Sequence, residues 1–472
     1  MMRERRTKIV CTIGPASQSK DVLRDLVRAG MDVARINLSH GDYESHAWTI
    51  QALRDVAAAE GKEIGILQDL GGPKIRLGVL PEGERVLTVG EKVRLYPGDS
   101  SHGDDLAVQY PYLLEDVNAG DRILLADGLV ELQVLDKDAQ ALVCHVVVGG
   151  VIHSHKGVNL PSSNLRIPSF TEKDRQDLLF GLEHGVDFVG LSFVRHEKDV
   201  TPVLDILKTA DPRPMVIAKI EKPQALERLD AILDRVDGVM VARGDLGVET
   251  PLYEVPVIQK RIIQAARDRA KPVITATQML RSMVSSPRPT RAETTDVANA
   301  VLDGTDAVML SEETAMGSYP VEAVRMLDRI AVAAEKYMFD TSHHNRFTSA
   351  TIPGMAAAIS EAVLGLANDL HAAAIIASTA SGETARLVSR LRPKSPIVGF
   401  THAPATVRQL SLSWGVYPVL VPRCEETDTL FAIARRWTLD QKVARPGDVI
   451  VLTAGVPVGR SGTTNMVKVI VL

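Results

Sequence analysis

Short apolar runs alternate with amphipathic stretches along much of the chain. Eight of the runs read as strands: KIVCTI from Lys8, MDVARIN from Met31, IGILQD from Ile64, VDFVGLSF from Val186, VIAKIE from Val216, GVMVAR from Gly238, PVITAT from Pro272 and DAVMLS from Asp306. Helical spacing fills the chain between them. The pattern predicts parallel strands joined by helical crossovers, and eight is the number that closes a (β/α)8 barrel. Helix ends are also legible. Ser19 through Gly30 offers an N-cap, apolar Val22, Leu23, Leu26 and Val27, and a terminal glycine, while Thr171 to Asp174 has the form of a capping box. Tyr319 to Met338 carries a long apolar stripe.

The third and fourth runs are separated by far more chain than one helix needs. Residues 71–167 have a different texture, with Gly, Pro and Asp punctuating short alternating segments such as ERVLTV, RILLADGLVELQVL and ALVCHVVVGGVIHSH. They read as an all-β insertion that acts as a lid. The barrel is therefore expected over residues 1–70 and 168–341. DTSHHNRF then reads as a linker, and alternation of helix and strand resumes from Ala356, predicting a C-terminal α/β domain over residues 342–472. A length of 472 residues suits several domains, since single cores stop growing at roughly 250 to 300 residues.

Composition narrows the function. A hydrophobic share of 45% with 24% charged residues is that of a folded, soluble chain. A net charge of −5 argues against a nucleic-acid partner, and no apolar stretch of membrane-spanning length predicts a membrane anchor. Cys11, Cys144 and Cys424 lie far apart in apolar surroundings, without zinc or disulfide spacing, and the charged N-terminus MMRERRTKIV precedes no signal-like core. The expectation is a cytoplasmic protein. The phosphate loop GxxxxGK[ST] and the dinucleotide loop GxGxxG are both missing from the sequence.

In a barrel of this kind, chemistry sits where the strands end. The second run supplies Arg35, Asn37 and Ser39 on one face, followed by His40; the third supplies Asp69, the fifth Lys219 and Glu221, the sixth Asp245 and the seventh Thr277. Arginine, lysine and paired carboxylates make a site for phosphate and a metal ion. Blander readings exist for each part. Lys219 and Glu221 suit an exposed ion pair on an edge strand, Asp245 and Thr277 suit helix caps, and Arg35 suits a structural bridge to Asp69. Five such coincidences at the ends of one barrel favour the site.

Over nearly its whole length the sequence resembles the pyruvate kinase family. The blocks are KIVCTIGPAS from Lys8, VARINLSHG from Val33, GPKIR from Gly72, KGVNLP from Lys156, KIE from Lys219, ARGDLGVE from Ala242, ATQML from Ala276 and LSEETAMGSYP from Leu310. The resemblance implies transfer of a phosphoryl group from phosphoenolpyruvate to ADP, giving pyruvate and ATP, the last step of glycolysis. It implies that Glu221 and Asp245 bind Mg²⁺, with Mn²⁺ as an alternative. It also implies that the backbone at Gly244 and Asp245 holds the substrate carboxylate, and that Lys219 and Arg35 face the transferred group. Thr277 would help deliver a proton to the enolate. His40, Arg76 and Lys156 resemble the nucleotide-side residues, and a homotetramer with a phosphorylated allosteric effector is expected.

Two positions depart from the family. Its commonest third-strand segment reads Asp-Thr-Lys-Gly-Pro-Glu, whereas this chain has Asp69-Leu70-Gly71-Gly72-Pro73-Lys74. Lys74 would place its ammonium where K⁺ otherwise sits against Asn37, Ser39 and Asp69, which predicts turnover without K⁺. Glu312 replaces the usual glycine near the eighth strand end. In the C-terminal region, Ser378, Thr379, Ser381, Gly382 and Thr384 form a hydroxyl-rich turn into a helix, and GVPVGRSGTTN adds Arg460. Both suit a phosphorylated effector, although helix capping and a surface loop explain either equally well. A metal-dependent barrel lyase acting on a pyruvate enolate would use an Arg, a Glu and an Asp too, but it needs neither the lid nor Lys156 and Arg76. A sensor of phosphorylated metabolites would tolerate loss of Lys219 or Glu221, and both are present.

Overall fold

The computed structural model describes residues 3–163, 165–341, 354–457 and 464–472. All eight apolar runs are strands: Lys8–Thr12, Val33–Asn37, Gly65–Asp69, Phe188–Leu191, Met215–Ile220, Gly238–Ala242, Val273–Ala276 and Ala307–Leu310. Each pairs in parallel with its neighbours in sequence, and the last pairs with the first to close the barrel. Burial on both faces explains why the runs are continuously apolar. Val10, Val33, Leu67, Phe188, Ile217, Met240 and Ile274 fill the interior, while the opposite faces of the strands pack against the helices. Leu412, from the C-terminal domain, joins the interior cluster at full burial.

The helix signals hold. Ser19 caps Lys20–Ala29 by accepting the Val22 N–H at 3.4 Å, and Gly30 ends it at a φ of 141°. Thr171 and Asp174 form a reciprocal capping box on Glu172–Glu183, and the apolar stripe lies on Pro320–Asp340. Two capping alternatives fail. Asp245 sits inside the first turn of Arg243–Glu249, whose cap is Ala242. Thr277 begins no helix: Thr277 and Gln278 are left-handed, at φ 70° and 54°, and the next regular element is the short turn Arg281–Val284.

The insertion after the third strand is a mixed six-stranded sheet, ordered Val158–Asn159, Arg122–Leu125, Val130–Lys137, Leu142–Val148, Lys92–Pro97 and Leu106–Val108. A separate antiparallel pair joins Glu84–Leu87 to Gly150–His153. Alternation makes this core: Val130, Leu132 and Val134 point inward while Glu131 and Gln133 lie between them, half-buried. The C-terminal sheet is ordered Val416–Leu420, Ile397–Thr401, Ala374–Ser378, Val449–Gly455 and Thr464–Val471, with only the last strand antiparallel. Arg408 reaches the barrel at Asp187 (2.6 Å) and Arg392 at Asp306 (3.2 Å). Most of the expected linker and Arg460 lie outside the described residues. Cys11, Cys144 and Cys424 are buried free thiols, and among the described residues no helix is long and apolar enough to cross a membrane.

Candidate active site

Polar side chains gather where the barrel strands end. Asp69 closes the third strand at 1% exposure, and Arg35 reaches it from the second strand, with Nε 2.6 Å from Oδ2. Arg35 also donates to Thr12 Oγ1 at 3.0 Å. The structural bridge left open by the sequence is thus formed. Lys219 Nζ lies 2.9 Å from Glu221 Oε1 and 3.3 Å from Asp69 Oδ1, and donates to Ser192 Oγ at 2.7 Å. A closed barrel has no edge strand, and Glu221 is only 1% exposed, so an exposed ion pair is ruled out.

This arrangement sets the charges. Burial opposes the charge on Lys219, yet Asp69 and Glu221 hold its pKa above the ordinary lysine value. Burial likewise opposes ionisation of Asp69, but Lys219 and Arg35 together keep its pKa low. Glu221 behaves differently. Burial pushes its carboxyl up to about 7, with Asp245 adding to the rise against the pull of Lys219. Its Oε2 accepts the N–H of Phe193 at 2.8 Å, a residue at φ 55°.

The negative charge of Asp245 thus bears on the Glu221 carboxyl, a cost that a divalent cation would remove. Among the described residues no three His, Cys, Asp or Glu side chains converge as a metal cage. Two carboxylates without a cage match Mg²⁺ or Mn²⁺, which take remaining ligands from water and substrate oxygens, and do not match structural zinc. The residues fit the ion.

The sixth and seventh strand ends are tied together. Gly244 donates its backbone N–H to Thr277 Oγ1 at 2.7 Å, and that hydroxyl donates to the carbonyl of Ala276 at 2.6 Å. Arg243 donates to the carbonyl of Thr277 at 2.7 Å and pairs with Asp296 at 2.8 Å. The Gly244 N–H expected to be open to substrate is thus already engaged.

Outward from these groups a cavity of about 340 Å³ opens between the barrel and the inserted domain. His40, Lys74, Arg76, Lys156 and Asp245 all line it, joined by Asp127, His155, Arg195 and Lys222. Five cations line it against the carboxylates of Asp127 and Asp245, which leaves it positively charged on balance. Burial, then Lys74 and Arg76, lower the pKa of His40.

Lys74 corrects one expectation. It lines the cavity with its side chain exposed and makes no hydrogen bond or ion pair with the described residues, so direct contact with Asn37, Ser39 and Asp69 is not formed. Asp69 is taken by Arg35 and Lys219, and Asn37 Oδ1 accepts the Ser39 N–H at 3.2 Å. The cleft walls still shield its ammonium from part of the solvent, and this with Lys219 lowers the pKa of Lys74, while Asp245 and Asp69 pull the other way. Glu312 forms an exposed ion pair with Arg281 at 2.5 Å.

In the C-terminal domain Ser378 ends a strand and Gly382, at φ 85°, starts the helix Glu383–Ser389. Several of the expected free groups there are spent: the Gly382 N–H goes to Thr379 Oγ1 (2.9 Å), and Thr384 Oγ1 meets Thr464 Oγ1 (2.6 Å). Ser381 gives its carbonyl to Arg386 at 3.1 Å.

Sequence reasoning overlooked Ser192, which the strand-end rule would have found in VDFVGLSF. It also overlooked Asn159 of the inserted domain, whose Nδ2 donates to Glu249 Oε1 at 2.8 Å, with Lys222 Nζ on the same oxygen at 2.5 Å.

Residues 4–324 match the model of the pyruvate kinase barrel domain, and residues 357–470 that of the pyruvate kinase alpha/beta domain. The chain belongs to the pyruvate kinase family. It is 46% identical over 473 residues to the pyruvate kinase of Geobacillus stearothermophilus, covering 99% of this chain and 81% of that one. It is also 46% identical over 467 residues to a pyruvate kinase of Mycobacterium tuberculosis, covering 98% of each chain. The crystal structure of a pyruvate kinase from Cryptosporidium parvum superposes with a TM-score of 0.92 at 36% identity, covering 99% of this chain and 96% of that chain. Membership of the family makes this chain a phosphotransferase.

Proposed function

We propose that the cleft moves the phosphoryl group of phosphoenolpyruvate onto ADP, releasing pyruvate and ATP, and that the residues above divide the work. The observation that carries this reading is Lys219, a buried ammonium held between Asp69 and Glu221 beside a cavity lined by cations. Lys219 stabilises charge on the group in flight, and Arg35, anchored by Asp69 and Thr12, orients it. Glu221 and Asp245 would hold Mg²⁺, or Mn²⁺, which supplies further neutralisation of the transferred phosphoryl. The first turn of Arg243–Glu249 receives the substrate carboxylate at the positive end of the helix through the Asp245 backbone, and through Gly244 once its N–H leaves Thr277 Oγ1. Thr277, whose hydroxyl already bridges Gly244 and Ala276, positions the proton that completes pyruvate. His40, Arg76 and Lys156 take the nucleotide phosphates, and the inserted domain shields the reaction from water.

Lys74 supports activity without K⁺ through its charge beside the cleft rather than through direct contacts. The loop from Ser378 to Thr384, with Thr379, Ser381 and Gly382, is read as the seat of a phosphorylated effector, and assembly as a homotetramer. The test of the main reading is pyruvate formation from phosphoenolpyruvate and ADP, with and without Mg²⁺, in wild type and Lys219→Met. Activity surviving in Lys219→Met at the wild-type rate would sink the assignment.

A further inference from the structure

The end of the barrel opposite the cleft carries a fourfold pattern. Each even-numbered strand follows an aspartate, and the side chain of that aspartate accepts an N–H near the start of the odd-numbered strand before it. Asp32 accepts from Ile9 at 2.8 Å, Asp187 from Ile66 at 2.9 Å, Asp237 from Val216 at 2.8 Å and Asp306 from Val273 at 3.0 Å. The repeat is visible in the chain as MDVARI, VDFVGL, VDGVMV and TDAVML. All four carboxylates also meet an arginine, and at Asp187 two converge: Arg54 from the barrel at 2.8 Å and Arg408 from the C-terminal domain at 2.6 Å.

Asp187 is buried and ties three strands together. Its carboxylate takes the third strand through Ile66, it leads directly into the fourth, and its carbonyl accepts the Met215 N–H that opens the fifth at 3.0 Å. The far ends of these strands carry Asp69 and Ser192, which hold the Lys219 ammonium, and Lys219 itself. Short strands hydrogen-bonded on both sides pass a displacement along their length, and Ile66 stands only about 10 Å from Asp69. The C-terminal domain presses on the same corner. A Cβ at Gly65, the first residue of the third strand, would fall 2.7 Å from Ser411 Oγ and 3.1 Å from the Arg408 carbonyl.

We propose that Asp187 is a positioning residue for phosphoryl transfer, setting the place of Lys219 from the opposite end of the barrel, and that Arg408 gives the C-terminal domain its hold on that setting. Asp187 Oδ2 is shared by Ile66 and Arg54, whereas Oδ1 is held by Arg408. Loss of Arg408 leaves a buried carboxylate oxygen without its cation, and the carboxylate turns to recover a partner, carrying the Ile66 amide with it. Misplacement by about 1 Å costs a reaction on the order of 10²-fold, so a fraction of that at Lys219 slows the chemical step while substrate affinity stays in place. The inference rests on the role given to Lys219 above.

Steady-state kinetics of the full chain carrying Arg408→Met, Arg408→Gln, Gln409→Ala or Lys219→Met test this, with urea unfolding showing that each is folded. Arg408→Met should lower kcat about tenfold, with KM for phosphoenolpyruvate and ADP within about twofold of wild type. Gln409 lies on the same helix and donates to the Arg213 carbonyl at 2.9 Å without touching Asp187, so Gln409→Ala should keep the wild-type kcat. In a Ser192→Ala background, where the seat of Lys219 is already loosened, the Arg408→Met change should cost about threefold or less. A wild-type kcat in Arg408→Met, an equal loss in Gln409→Ala, or the full loss repeated in the Ser192→Ala background would each overturn the proposal. Arg408→Gln removes the charge with less disturbance and carries the test where Arg408→Met fails to fold. Lys219→Met separates the two claims: the wild-type rate there sinks the role of Lys219, whereas an inactive Lys219→Met beside an unaffected Arg408→Met sinks only that of Arg408.

Discussion

Gly244 donates its backbone N–H to Thr277 Oγ1 at 2.7 Å, fastening the mouth of the sixth barrel strand to that of the seventh. Thr277 holds this post at a φ of 70°, a conformation that costs a β-branched residue on the order of 1 to 3 kcal/mol. Strain of that size at a strand end points to a functional constraint. Thr277→Ala removes the hydroxyl and leaves the backbone, so kcat should fall roughly 10²-fold with little change in KM for phosphoenolpyruvate. Thr277→Ser should retain most of the rate. Steady-state kinetics of both variants decide it; equal losses in the two would assign the residue a packing role only.

Glu221 should make the metal-free protein sensitive to pH. Its folded pKa stands near 7 against an ordinary 4.5, so the folded state holds a proton that the unfolded state has released between those values. Stability must then fall as pH rises from about 4.5 through 7, by on the order of 3 kcal/mol for this group alone. Glu221→Gln should remove that slope in urea unfolding at pH 6 and pH 8 without divalent metal. Mg²⁺ competes with the same proton, so its affinity for wild type should climb with pH up to about 7 and level off above it. A metal affinity indifferent to pH over that range would contradict the assignment of Glu221.

Much of this was legible in the sequence because barrel geometry sends strand ends to one place. Arg35, Asp69, Lys219, Glu221 and Asp245 each follow or interrupt an apolar run, and closing eight strands brings them together. What the pattern could not show was which side chain takes which partner. Asp69 had two candidate cations, Arg35 and Lys74, and only the fold reveals that Arg35 and Lys219 claim it while Lys74 stands off. The Phe193 N–H on Glu221 and the Gly244 N–H on Thr277 are backbone donors, which no residue-type pattern marks.

Lys74 carries the prediction about monovalent cations. Its ammonium lines the cleft, coupled to Asp69 and Asp245 without touching either. Lys74→Glu reverses that charge and restores the family's commoner residue. The variant should lose about tenfold or more of its rate in K⁺-free buffer and recover with added K⁺, whereas wild type should be indifferent to K⁺. A wild type that turns over only with K⁺ present would show that the charge of Lys74 does not substitute for the ion.

A buried carboxylate helps to latch the inserted domain to the barrel. Asn159, on a two-residue strand of the insertion, donates to Glu249 at the far end of the helix that begins at Arg243, and Lys222 donates to the same oxygen. Any swing of the inserted domain therefore pulls on the helix whose first turn carries Gly244 and Asp245. Asn159→Ala cuts the latch and leaves the Glu249–Lys222 pair in place, so folding should be preserved at a cost of about 1 kcal/mol. The same energy spent on domain closure raises KM for ADP by about fivefold. A cleft that closes less completely also admits water to the transferred group. Pyruvate should then form faster than ATP in Asn159→Ala, while the two remain equal in wild type. Measuring both products in one assay separates the effects: a raised KM with products still matched would limit Asn159 to nucleotide affinity, and no change in either would show that the latch bears no load.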